Sequence, residues 1–185
     1  MTPQYTYTDS PEFIDKLEFA YFETYSLQRG SEFERLDGEL ESEYEHLALQ
    51  KERLGKLTMA EDKRLSELHL LFGYTQYLLN DKGEFHYSSK KTSTINSDSV
   101  LSDRLRNILR TEVFEIPKWM CAPIYRDAIV FYDGSNQIIC TLNVCLSCNY
   151  IETKMFNHIN ADIKTYDLLR AFFLGVGHEV EEDND

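Results

Sequence analysis

The chain has 185 residues and a mass of 21.7 kDa; 42% of it is hydrophobic and 28% charged, enough apolar material for the core of one domain and too much for a disordered polymer. Acids outnumber bases by 32 to 19, and the net charge of −13 excludes non-specific attachment to nucleic acid or to an anionic membrane surface as the main activity. The first residues offer neither a basic nor an apolar signal segment, so the expected compartment is the cytoplasm. The longest uncharged run, 134–151, carries Ser, Asn, Gln and Thr throughout and is not a membrane helix.

Ser10-Pro11-Glu12 is a helix start, with a capping hydroxyl, Pro in the first turn and an acid beside it. Phe13, Ile14, Leu17, Tyr21 and Tyr25 then recur at helical spacing, which predicts a helix running toward Gly30. A second helix is predicted over 39–54, with Leu40, Tyr44, Leu47 and Leu54 on one side. Thr58 followed by Glu61 is a capping box, so a third helix begins there and carries Leu65, Leu68, Phe72 and Leu79. The short 55–57 link makes helices two and three an antiparallel hairpin.

Residues 84–97 read as a polar loop flanking a short strand at 84–87. Ser97 or Ser99 caps a fourth helix through about Arg110, and 112–116 reads as a strand stopped by Pro117. The strongest β signal is 124–132 and 137–145 joined through Asp133-Gly134, an Asp-Gly turn between two alternating apolar runs. A two-residue loop there sets pairs summing to 267 or 269. In either register Ile129, Phe131, Cys140, Leu142 and Val144 share one face, and Ala128, Val130, Tyr132, Thr141, Asn143 and Cys145 the other. A last helix is predicted over 165–174, ended by Gly175 or Gly177.

The expected fold is therefore α+β: a helical layer over 1–83 containing the helical hairpin, then a region over 84–178 with a small antiparallel sheet built on the 124–145 hairpin and a C-terminal helix, then a disordered acidic tail, 179–185.

Two functional readings follow. The acids concentrate at the front, with 13 acids against 6 bases over 1–57, and they are densest in the run holding Glu39, Glu41, Glu43 and Glu45. That run is expected either to be a solvated helix face or to steer a basic protein partner, such as a toxin or nuclease, onto a non-enzymatic interaction module. The apolar side of the helical hairpin also suits a homodimer.

The second reading rests on the cysteines. Cys140 falls on the apolar face and five residues, roughly 17 Å, from Cys145. It is expected to be core. Cys121, Cys145 and Cys148 gather at the open end of the hairpin, where Cys145-x-x-Cys148 is able to wrap a zinc ion that Cys121 and a histidine, His178 or His158, complete. In the plainer alternative the thiols are free and packed and no cofactor is needed; a disulfide between Cys121 and Cys148 fits the strand ends but not a reducing compartment.

Cys121-x-Pro123, Ala128-Ile129-Val130-Phe131-Tyr132-Asp133, Val144-Cys145-Leu146-Ser147-Cys148 and Leu169-Arg170-Ala171-Phe172-Phe173 with Gly177-His178 together resemble the C-terminal part of small bacterial proteins of unknown function. The resemblance covers about the last 65 residues. It implies that Cys121, Cys145 and Cys148 belong to a shared pattern and that the source is bacterial, and it brings no activity.

Overall fold

The computed structural model describes residues 4–117 and 122–180. Its fold is built on the Asp-Gly hairpin. β4 (Asp127–Tyr132) and β5 (Ile138–Cys145) pair antiparallel, but Ala128 lies opposite Asn143 rather than opposite Thr141 or Ile139. The cause is the turn. Asp133 Oδ1 accepts the N–H groups of Ser135 at 2.8 Å and Gln137 at 2.9 Å, and Asn136 takes a left-handed φ of 63°. This builds a longer loop than two residues and moves the register by an even step, so the side chains of 128–132 and 140–145 keep their expected faces, while a bulge between Phe131 and Tyr132 sets Tyr132 opposite Ile138.

Around this pair stand β1 (Thr6–Asp9), β2 (Tyr21–Ser26), β3 (Lys90–Asn96), β6 (Tyr150–Lys154) and β7 (Asn157–Asn160), in the order β1-β7-β6-β5-β4-β2-β3. All neighbours are antiparallel except β1 and β7. The sheet thus has seven strands, and the expectation of a small one is corrected.

Two expected helical or loop segments are strands. Tyr21–Ser26, predicted to continue the first helix, is the strand between β4 and β3; the helix itself, α1, stops after Ser10–Lys16. The expected loop at 84–97 contains the edge strand β3, where a single buried residue, Ile95, sits among Lys, Thr and Ser. The expected strand at 84–87 is reduced to a bridge between Leu79 and Phe85, and 112–116 forms no strand.

α4 (Val100–Leu109) and α5 (Ile163–Gly175) follow the sequence closely. Ser99 caps the first, accepting the N–H of Ser102, and Asp162 caps the second, accepting that of Lys164 at 3.0 Å. With α1 they cover one face of the sheet, where Ile14, Leu105, Leu109, Leu169, Phe172 and Phe173 close over Phe22, Ile129, Phe131, Leu142, Val144 and Ile151. Cys140 packs against this cluster, and burial lifts its thiol pKa to about 11. On the other face Tyr25, Leu27, Leu78, Ala128, Val130 and Tyr132 form a smaller cluster. Val180 still packs on the core, and the acids beyond it lie outside the described residues.

The chain divides into two compact units. The sheet unit draws on both 1–27 and 77–185, so the front of the chain belongs with its end. Gln28–Gln76 forms the second unit, which contains α2 (Ser31–Leu54) and α3 (Met59–Phe72). Among the described residues no helix is long and apolar enough to cross a membrane.

Candidate functional site

The second unit is the expected helical hairpin, with a first helix longer than the sequence pattern suggests and a second that stops at Phe72, short of the expected Leu79, which bridges to Phe85 instead. Gly55, at a φ of 67°, closes α2 by returning its N–H to the carbonyl of Lys51 at 2.9 Å. Thr58 then opens α3 with a complete capping box: its Oγ1 accepts the N–H of Glu61, and Glu61 Oε2 accepts the N–H of Thr58 at 2.8 Å. The two helices are tied by polar contacts. Arg64 donates twice to Glu43, at 2.9 and 2.7 Å, Lys51 meets Asp62 at 2.6 Å, and Gln50 donates to Glu61 at 3.0 Å. Arg64 holds the Glu43 carboxyl below the usual carboxylate range.

Apolar burial in this unit is sparse. Leu47 is the one buried residue of α2 and Leu68 the one buried residue of α3. Between the helices runs an open groove of about 580 Å³, with Tyr44, Ala48, Leu65 and Leu70 on its walls and Lys51, Glu52, Ser66 and His69 around them. Tyr44 leans on α3, its ring 5.8 Å from Phe72 and its hydroxyl 3.2 Å from His69 Nδ1. Leu70 is 62% exposed.

The four acids singled out from the sequence lie on α2 but not on one surface. At a spacing of two residues, successive side chains point to nearly opposite sides of a helix. Glu39 and Glu43 share a side and are engaged, with Arg35 at 2.6 Å and with Arg64. Glu41 and Glu45 share the other side, both exposed, and that side continues into the groove.

The cysteine end is assembled differently from a zinc site. Cys148 is disulfide-bonded, so its sulfur is no thiolate ligand, and the expectation that a reducing compartment keeps it free is corrected. Cys140 and Cys145 are free, and Cys121 lies outside the described residues. Cys145 is buried, with Sγ 3.4 Å from Ser147 Oγ. His178 is buried against Asp127, Nδ1 to Oδ1 2.7 Å. Asp127 pairs with Val144, and the next residue, Cys145, faces the opposite side of the sheet, so the structure does not bring His178 to Cys145. Among the described residues no three His, Cys, Asp or Glu side chains are placed to hold a metal ion.

Two polar clusters on the face away from α4 and α5 were not legible in the sequence. Glu152 accepts from Tyr77 at 2.5 Å and from Tyr125 at 2.7 Å, and His158 Nδ1 lies 3.1 Å from its other oxygen. Tyr5 and Tyr7 stack on His158. Across the same face Glu23 accepts from Tyr25 at 2.6 Å, Lys91 at 2.9 Å and Tyr132 at 3.1 Å. Burial first, and the adjoining carboxylate second, push the phenols of Tyr77, Tyr125 and Tyr25 upward, so they remain donors at neutral pH and supply neither a base nor a nucleophile. Burial would also raise Glu23, but donation from Tyr25, Lys91 and Tyr132 outweighs it and holds that carboxyl low. Both clusters are thus satisfied buried carboxylates. The signal that finds them is the strand alternation Tyr150-Ile151-Glu152, which turns Glu152 away from the apolar face, together with a register that only the fold supplies.

Compared with models of protein families, with curated proteins and with solved structures, the chain matches none.

Proposed function

We propose that this chain is a protein-interaction module whose helical hairpin receives a partner carrying positive charge. The observation that supports it is the groove between α2 and α3. A helix stripe in a stable domain is ordinarily covered by another element, and here half-buried Tyr44, Ala48 and Leu65 and exposed Leu70 line a groove, with the exposed acids Glu41 and Glu45 on α2 a turn toward its N-terminus. Negative charge at the mouth of such a groove speeds the encounter with a basic segment, and the apolar walls then retain it.

The test compares capture by the full chain with capture by the E41Q/E45Q variant at about 50 mM and about 300 mM salt. The expected result is a retained protein whose yield falls roughly tenfold with salt and with the charge-neutral variant. Recovery of nothing, or a yield indifferent to both, would sink the proposal.

A further inference from the structure

Along α2 the residues Glu34, Asp37, Glu41, Tyr44, Ala48 and Lys51 follow one another in steps of three and four. That is the seam spacing of a coiled coil, and it places all six on one stripe. The stripe borders the one α2 turns to α3, which carries Glu43, Leu47 and Gln50; Tyr44 and Lys51, on its near edge, also reach His69, Phe72 and Asp62 of α3, while Glu41 and Ala48 lie further round. Its composition is ordered: acids at the N-terminal end, Tyr44 and Ala48 in the middle, Lys51 at the C-terminal end. A parallel neighbour of the same sequence would set Asp37 and Glu41 against their own copies. An antiparallel neighbour reverses the order and sets acid against base.

We infer that the occupant of the hairpin groove is a second copy of this chain, docked antiparallel along α2 with Tyr44 of each copy over Ala48 of the other and Glu41 facing Lys51. This rests on the reading of the hairpin as an element that receives positive charge, and it takes that charge from Lys51 at the C-terminal end of the second copy's α2, although the chain as a whole is acidic. The arrangement is two-fold, so each contact occurs twice. A large side chain meets a small one at the centre, and Leu65 and Leu70 of α3 flank the incoming helix. Lys51 already meets Asp62 within its own chain, but that pair is about half exposed on both sides, and its ammonium has donors left for a second carboxylate.

The test is analytical ultracentrifugation of the full chain from about 1 to about 100 µM, with circular dichroism on each variant to show that its helices are intact. The wild type is expected to move from 21.7 kDa toward twice that mass. Ala48→Glu, which buries an unpaired charge at the centre, is expected to weaken dimerisation about a hundredfold. Glu41→Lys and Lys51→Glu each place like charges opposite one another and are expected to weaken it about tenfold. Mixing these two variants restores opposite charges at both crossings, so the mixture should dimerise as the wild type does. A wild type that stays monomeric at the highest concentration, a dimer indifferent to A48E, or a mixture that fails to recover would each overturn the inference. A monomer that still captures a basic protein through Glu41 and Glu45 removes self-docking alone; a monomer that captures nothing removes both proposals.

Discussion

The two units of this chain solve the problem of apolar surface in opposite ways. In the sheet unit every residue of β4 is buried, and α1, α4 and α5 close one face over Phe22, Phe131 and Leu142. In the hairpin unit a helix of 24 residues buries only Leu47, and the helices are joined mostly by ion pairs and side-chain hydrogen bonds. Exposed pairs of that kind contribute little to stability. The difference teaches where each unit draws its order: buried apolar packing orders the first, and polar ties between two helices order the second.

Substitutions sharpen that contrast. Phe131→Ala removes a fully buried ring from the middle of the sheet and is expected to cost about 3–5 kcal/mol in denaturant unfolding. Asp127→Ala leaves the buried His178 imidazole without its hydrogen-bond partner and is expected to cost about 1–3 kcal/mol in the same measurement. In the hairpin, Thr58→Ala breaks the capping box of α3 and should cost about 1 kcal/mol. It should lower the helical signal before the sheet melts; a single coincident transition would contradict the separation of the units.

Acid titration gives a smaller contrast of the same kind. Burial depresses His86, in the sheet unit, from 6.5 to about 4, so the unfolded chain takes up this proton before the folded one does. Its contribution is complete above pH 6.5 and is lost as pH falls toward about 4. Glu23 adds to the loss lower down: its folded pKa lies below the ordinary carboxylate value, so its stabilisation is present above that value and disappears as pH falls through the folded one. The expected observation is that His86→Gln flattens the stability curve between about pH 6.5 and pH 4, and that Glu23→Gln flattens it further down. An unchanged slope in both variants would show that these groups do not govern acid unfolding.

Much of the fold was legible where local chemistry and tertiary role agree. Asp133-Gly134 lies in a turn, Thr58 and Ser99 cap helices, and the alternation of 127–132 and 138–145 fixed the faces even though the register moved by an even step. β2 was misread for a definite reason. Tyr21 and Tyr25 are four residues apart, a spacing that shares a face in a helix and, being even, shares a face in a strand as well. β3 was hidden because an edge strand carries Lys and Thr to discourage pairing with other chains, which gives it the composition of a loop. In the candidate site, Tyr44 was visible as a helix-face residue. The seam around it was not, because its ends are charged and an apolar-stripe search passes over Asp37, Glu41 and Lys51.

β2 and β3 are antiparallel neighbours, and the connection between them holds the whole helical unit followed by residues 77–89 of the sheet unit. This has a kinetic consequence. Joining two strands across a long flexible loop is slow because the chain must first surrender its closure entropy. Helices form within microseconds from contacts local in sequence, well before distant strands pair. An α2–α3 hairpin that has already folded replaces the long floppy connection with a short, doubled-back one. If the helices condense first, the closure left to the edge strand is set by residues 73–89 and not by the full span from 27 to 89, so shortening α2 and α3 together should change the folding rate little.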